Sequence, residues 1–328
     1  MSRVYITDYV TDPWIERDIL GSDVACALTP DVEVLLVWHQ RIDAAYLDKV
    51  PRLRAIVRYG VGFDNIDLEE ARRRGIAVAN TPDYGVDEVS DTTLAMILNI
   101  VRGVSRYYSL CSRGQLTWQE NTLPILRRTS DVVLGVVGAG RIGGSVLFKA
   151  SSVGFQTVLF DPYKPPGHEK MLGARRVDDL QSLLEQSDIV SVHAPLTEET
   201  YGMIDEVFVR HMKKDASLVN TARGGILKDL DVLYEPMKSE RVWAVALDVL
   251  PEEPPVDGKL FEAWRRHEEW LAGRLLINPH TAYFSQTAYR EMREKAATNA
   301  LRALEGRGLK NRVDVISPGS CAGRQDGA

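Results

Sequence analysis

Short apolar runs alternate with longer amphipathic stretches along most of this chain. In the first third the runs are Val4-Tyr5-Ile6, Val32 to Trp38, Leu53 to Tyr59 and Ile76 to Ala79. They are enriched in Val and Ile and predict strands. Between them Trp14 to Leu20, Ala44 to Val50 and Leu68 to Arg74 predict helices. Strand, helix and strand repeated in this way predict a parallel sheet covered on both faces. A long helical stretch follows from about Asp87 to Arg113, with Leu94, Ile97, Leu98, Val101 and Val104 at helical spacing. Gln115 to Asp131, which holds Trp118 and Pro124, predicts a connecting loop or arm.

The pattern restarts at Val132-Val133-Leu134-Gly135-Val136-Val137. Further strands are predicted at Thr157 to Phe160, Ile189 to His193, Ser217 to Asn220, Val242 to Asp248 and Leu275 to Asn278. With helices between them, these make a second doubly wound α/β unit. Gln286 to Leu304 predicts a final helix with Ala and Leu along one side, placed to return to the first unit. Ser317 to Ala328, rich in Gly, Ser and charge, predicts a frayed end.

The length of 328 residues fits two domains. Hydrophobic residues at 45% and charged residues at 26% argue against a disordered chain or a coiled coil. The net charge of -6 does not favour a nucleic-acid backbone or an anionic membrane. Arg72-Arg73-Arg74 follows Glu69-Glu70 and reads as a solvated helix face. Cys26, Cys111 and Cys321 are far apart and form neither a metal spacing nor a disulfide framework. A reducing cytoplasm is therefore expected, with no metal. The N-terminus meets Asp8 too early for a signal peptide, and no apolar run is long enough to span a membrane.

Gly138-Ala139-Gly140-Arg141-Ile142-Gly143 follows an apolar strand and opens a helix. This is the context in which G-x-G-x-x-G cradles a pyrophosphate. The first Gly permits a tight turn, the second admits the phosphates, and the third lets helix and strand pack closely. The helix N-terminus adds N–H donors and a positive dipole end. Asp161 closes the next strand, where a carboxylate accepts from the adenosine ribose hydroxyls and repels a 2′-phosphate. NAD is therefore expected over NADP.

Asn220-Thr221-Ala222-Arg223-Gly224-Gly225 follows a strand, so Arg223 faces the crevice where ligands bind. A guanidinium there can grip a carboxylate in two parallel hydrogen bonds. Asp248 to Pro255 follows another strand, and Asn278-Pro279-His280-Thr281-Ala282-Tyr283 follows the last. His280 taken alone reads more often as a structural residue. Beside a carboxylate from a neighbouring strand end it becomes an acid–base candidate. His193, in Val192-His193-Ala194-Pro195-Leu196, stands at a strand end near the cofactor crevice.

At these residues the sequence resembles the D-isomer-specific 2-hydroxyacid dehydrogenases, from about Leu53 to Leu304. Tyr59 to Asp67, Gly138 to Gly143, Asn220 to Gly225, Ala246 to Pro254 and Pro279-His280 carry the resemblance, in the family's order. Phe160 to Tyr163, Ala282 to Ser285 and Glu291 to Glu294 resemble more closely the branch containing the C-terminal-binding proteins, which are NAD-binding transcriptional corepressors. Tyr283 departs from that branch, which carries a tryptophan there.

The resemblance implies a Rossmann cofactor domain, 102–286, inserted into a flavodoxin-like substrate domain, 1–101 with 287–328. It implies NAD as cofactor, a small 2-oxo or 2-hydroxy acid as substrate and a homodimer, with no direct nucleic-acid or membrane partner. By matching motifs Arg223 binds substrate, His280 is the acid–base and Glu253, before Pro254, is its carboxylate partner, with Glu252 as the alternative. Val61 and Gly62 match the loop that meets the substrate carboxylate, and Tyr283 stands near the substrate's side chain. Cofactor contacts are expected from Gly138, Gly140, Arg141, Ile142, Gly143, Asp161, His193, Ala194, Pro195, Thr197, Thr221, Ala222, Arg223, Asp248 and His280. An NAD-sensing corepressor-like interaction protein and a phosphite or formate oxidase are the alternative functions.

Overall fold

The computed structural model describes residues 2–116 and 118–315. The predicted frayed end and Cys321 lie outside the described residues. Residues 2–85 with 285–315 form one compact unit, and Val86–Phe284 form the other.

The first unit is a five-stranded parallel sheet of β1 (Val4–Ile6), β2 (Val24–Ala25), β3 (Val34–Val37), β4 (Ala55–Arg58) and β5 (Ala77–Ala79). Its order is β2-β1-β3-β4-β5. Leu35, Val37, Ile56 and Val78 meet Ile42, Leu47, Val50 and Ala71 in one core layer. Asp43 and Asp67 start the helices Ala44–Leu47 and Leu68–Arg73 by accepting from Tyr46 N–H and Glu70 N–H.

The helix Gln286–Leu304, capped by the Ser285 hydroxyl, belongs to this first unit and buries Ala288, Met292, Ala296, Ala297 and Ala300. Its Arg293 is 3% exposed and grips the fully buried Glu16, with Nε on Oε1 at 2.9 Å and Nη2 on Oε2 at 2.5 Å. Tyr59 Oη donates to the same Glu16 Oε1 at 2.8 Å. The carboxylate is thus paired and hydrogen-bonded on both oxygens, as a buried charge requires.

The second unit is a seven-stranded parallel sheet. Its strands are β6 (Val133–Val137), β7 (Gln156–Phe160), β8 (Arg175–Arg176), β9 (Ile189–Val192), β10 (Ala216–Asn220), β11 (Val242–Leu247) and β12 (Leu275–Ile277). The order is β12-β11-β10-β9-β6-β7-β8. Successive residues point to opposite faces. Val190, Leu218, Val245 and Leu247 enter one core layer, while Ile189, Val219, Ala244 and Ala246 enter the other. Both faces are covered, which explains why the strands read as nearly continuous apolar runs.

Two expectations are corrected here. The stretch from Asp87 to Arg113 is two helices, Val86–Arg102 and Val104–Ser112, because Gly103 takes a left-handed conformation at φ 62°. The division of the chain also falls before Val86 rather than after residue 101. Met96, Ile97, Ile100 and Val101 share a core layer with Leu134, Val136, Val146 and Leu147, so this helix joins the second unit. Ser145 Oγ donates to Ser90 Oγ at 3.0 Å, and Lys149 reaches Asp91 at 2.7 Å.

Candidate active site

In the second unit the expected site residues follow the carboxyl ends of adjacent strands. Gly138 follows β6, Asp161 follows β7, His193 follows β9, Thr221 follows β10 and Asp248 follows β11. His280 lies three residues beyond β12. The chain runs from β6 toward β7 and β8, then returns to place β9 on the other side of β6. The Gly138 loop and His193-Ala194 stand at that reversal, where open α/β sheets bind ligands.

The loop after β6 fits a dinucleotide pyrophosphate. Gly138 has φ +88°, and a Cβ on it would lie 2.8 Å from Ala194 N. A Cβ on Gly143 would lie 2.0 Å from Gly138 O, so only glycine lets the helix approach the turn. A Cβ on Gly140 would meet nothing within 4 Å, which leaves that side open. The helix Arg141–Ser152 begins there, and its first-turn N–H groups have no partner within the helix.

Asp161 is 7% exposed and belongs to the same construction. Its Oδ2 accepts from Ala139 N–H at 2.9 Å and its Oδ1 from Tyr163 N–H at 3.0 Å. Each oxygen keeps acceptor capacity for a ribose hydroxyl. His193 supports the loop from behind. Its Nε2 shares a hydrogen bond of 2.8 Å with Ser191 Oγ, and burial pushes its pKa down to about 3. It is therefore a neutral ring near pH 7. Ala194 is buried, whereas Pro195 and Thr197 lie on an exposed turn held by Thr200, whose hydroxyl accepts from Thr197 N–H at 2.8 Å.

Beyond β10, Thr221 is buried, and Ala222 and Arg223 are partly exposed. The Arg223 Nη1 donates to Ala222 O at 2.7 Å. His280 and Glu253 meet across neighbouring loops: Nδ1 lies 2.7 Å from Glu253 Oε2. A carboxylate only accepts, so Nδ1 carries the proton and Nε2 is the nitrogen left for a substrate. Glu253 Oε1 accepts from Leu250 N–H at 2.8 Å, which aims the carboxylate. Burial opposes ionisation of Glu253, but the hydrogen bond from His280, the His280 charge and the nearby Arg223 together hold its carboxyl below the usual value. The pairing falls on Glu253, and among the described residues no such contact involves Glu252.

Asp248 has a role that the sequence left open. It is 2% exposed, and its Oδ1 accepts from Thr281 N–H and Ala282 N–H, each at 3.0 Å. Its carbonyl accepts from His280 N–H at 2.8 Å. His280 itself sits at φ 55°, in the left-handed region that residues other than glycine seldom occupy, and these bonds hold it there. Burial pushes the Asp248 carboxyl up. Tyr283, on the same loop, packs edge-on against Phe284 with ring centroids 6.4 Å apart.

In the first unit Val61 and Gly62 form the loop after β4, with Val61 37% exposed. Asn80 and Thr81, which follow β5, hydrogen-bond to this loop, a connection that the sequence did not reveal. No helix among the described residues is long and apolar enough to cross a membrane.

Comparison with known proteins bears on these features. Residues 94–282 match the family model of the D-isomer specific 2-hydroxyacid dehydrogenase NAD binding domain. The chain is 36% identical over 300 residues to a glyoxylate reductase of Korarchaeum cryptofilum, covering 90% of this chain and 86% of that protein. It is 30% identical over 326 residues to a D-3-phosphoglycerate dehydrogenase of Methanocaldococcus jannaschii, covering 96% of this chain but 60% of that longer protein. The crystal structure of D-lactate dehydrogenase from Aquifex aeolicus, complexed with NAD and lactic acid, superposes with a TM-score of 0.82 at 26% identity. The match covers 96% of this chain and 100% of that one.

Proposed function

The chain belongs to the D-isomer-specific 2-hydroxyacid dehydrogenase family, and from that premise we propose that it interconverts a small 2-oxo acid and a D-2-hydroxy acid. It is an NAD-dependent oxidoreductase. The observation that carries the proposal is the 2.7 Å hydrogen bond between His280 Nδ1 and Glu253 Oε2, on the strand-end edge that also bears Arg223. The neighbouring enzymes act on acids of this class by name, which supports it.

When bound, the nicotinamide supplies or accepts the hydride at C2 of the acid. The Gly138–Gly143 loop and Asp161 hold the cofactor's pyrophosphate and ribose. Arg223 clamps the acid's carboxylate with its planar fork. In the first unit the Val61-Gly62 amides are read as carboxylate donors. In reduction, His280 Nε2–H donates its proton to the carbonyl oxygen of C2 as negative charge develops there. In oxidation, neutral Nε2 takes that proton back. Glu253 keeps the proton of Nδ1 in place and stabilises the imidazolium. Asp248 holds the backbone of the His280 loop, and Tyr283 lies near the acid's side chain.

On this reading the unit containing Val86–Phe284 is the cofactor domain and the other unit is the substrate domain. We also propose a homodimer, which sedimentation velocity checks. A reducing cytoplasmic setting completes the reading, with the exposed thiols of Cys26 and Cys111 remaining free. The functional test is loss of NADH absorbance with glyoxylate, pyruvate, hydroxypyruvate and 2-oxo-4-methylthiobutanoate. Turnover of at least one supports the proposal. Negligible turnover across the panel, with NAD-driven dimerisation, overturns it in favour of a corepressor-like NAD sensor.

A further inference from the structure

The amides of Val61 and Gly62 act on a carboxylate only if they point away from the protein. In a trans peptide the C=O of one residue and the N–H of the next point in opposite directions. Whatever holds the carbonyls of Gly60 and Val61 inward therefore turns the N–H groups of Val61 and Gly62 outward.

Both carbonyls are held. Thr81 N–H donates to Gly60 O at 3.0 Å, and Asn80 Nδ2 donates to Val61 O at 2.6 Å. The Thr81 hydroxyl accepts from Gly60 N–H at 2.6 Å and donates to Arg58 O at 3.1 Å. Its single proton is thus spent on the strand that precedes the loop, and its oxygen fixes the loop's first amide. Thr81 is 2% exposed and Asn80 is 6% exposed, so water does not readily replace these bonds. Gly60 sits at φ +127°, a conformation that glycine adopts and other residues rarely do. Among the described residues, none accepts a hydrogen bond from Val61 N–H or Gly62 N–H.

We propose that Asn80 and Thr81 are positioning residues for the substrate: together they clamp the loop after β4 so that its two amides face the acid's carboxylate. The inference rests on the reading of Val61-Gly62 as the carboxylate loop. It assigns the pair no contact with substrate or cofactor. Their effect is confined to recognition of the acid, and NADH binding is untouched.

The experiment compares the parent with Thr81→Val, Thr81→Ser and Asn80→Ala. Valine keeps the shape of threonine and removes the hydroxyl, while serine restores it. Steady-state kinetics use NADH and the best 2-oxo acid of the panel, NADH affinity is read by fluorescence, and hydrogen exchange is followed in the peptide containing Gly60–Phe63. In Thr81→Val and Asn80→Ala, KM for the 2-oxo acid rises about tenfold with kcat changed far less, as lost binding requires. NADH affinity is unchanged, exchange in the loop is faster, and Thr81→Ser returns both loop measurements toward the parent. If exchange and KM in Thr81→Val both match the parent, or Thr81→Ser is as impaired as Thr81→Val, the positioning role is overturned while the proposed reaction stands. Faster exchange with an unmoved KM overturns the assignment of these amides to the carboxylate, and with it this inference.

Discussion

Replacing Glu253 by Gln tests the acid–base pair most directly. Glutamine keeps the shape of the side chain and can still accept one hydrogen bond, but it removes the charge facing His280. A charge-assisted hydrogen bond is worth about 1.5–3 kcal/mol where water is excluded. Here the two side chains are 42% and 37% exposed, so solvent screening reduces the figure to about 1–1.5 kcal/mol. That is about tenfold in the rate of a step in which His280 gives up its proton. The sign follows from the direction of the Glu253 shift. Its carboxyl is held below the ordinary value, so its contribution is complete at neutral pH and fades as pH falls through that lowered value. The parent profile for 2-oxo acid reduction accordingly has an acid limb set by Glu253. In Glu253→Gln that acid limb disappears and kcat/KM at neutral pH falls about tenfold. The assay is kcat/KM for reduction between pH 4 and 10, with NADH binding by fluorescence as the control. A Gln profile that superimposes on the parent's, with NADH binding intact, refutes the pairing as a catalytic device.

Arg223→Lys keeps the charge but loses the fork, and lowers kcat/KM for the 2-oxo acid by about 100-fold or more with NADH binding near normal. A Lys variant that turns over like the parent removes Arg223 as the clamp. Asp161→Asn removes the charge while its single oxygen still accepts from one of the two loop N–H groups, and narrows the NADH to NADPH ratio of kcat/KM by about tenfold or more, about 1.4 kcal/mol. Equal use of both cofactors by the parent would sink that prediction. Gly143→Ala forces a methyl to 2.0 Å from Gly138 O, which costs about 1–3 kcal/mol, lowers Tm by several degrees and weakens NADH binding. Calorimetry and fluorescence check it, and a variant with parental Tm and affinity contradicts the cradle geometry. Tyr283→Ala shifts preference toward bulkier 2-oxo acids, and an identical substrate ranking in the two proteins places Tyr283 outside the pocket.

The strands were legible because both faces of each sheet are covered, so nearly every position had to be apolar. β2 and β8 escaped because each has two residues at a sheet edge, too few to set a period. The amphipathic pattern ran on through Gly103, and only the backbone at that glycine shows the helix ending. The same periodicity marks an apolar face without saying which core will receive it, so the first boundary was drawn past Val86–Arg102. At the site, Gly138 to Gly143, Asp161, Arg223, Glu253 and His280 were visible because each stands in a local motif after a strand. Asn80, Thr81 and the capping carboxylate of Asp248 were not. Their partners come from other strand ends, 21 residues away for Thr81 and Gly60 and 33 for Asp248 and Thr281, where composition carries no signal.

The bond between Glu16 and Arg293 joins positions 277 residues apart. It has a consequence for how the protein is made. As the chain leaves the ribosome, Val86–Phe284 is complete and can fold as a unit, while the five strands already synthesised on its N-terminal side still lack the helix Gln286–Leu304. Until Arg293 emerges, Glu16 cannot enter the core without stranding a charge there. The unit holding Glu16 thus reaches its native state only after Val86–Phe284 has been made. Its exposed apolar sheet is the surface that chaperones or aggregation would find during that wait, and truncation before Gln286 should leave it there permanently, a loss readable as insoluble product.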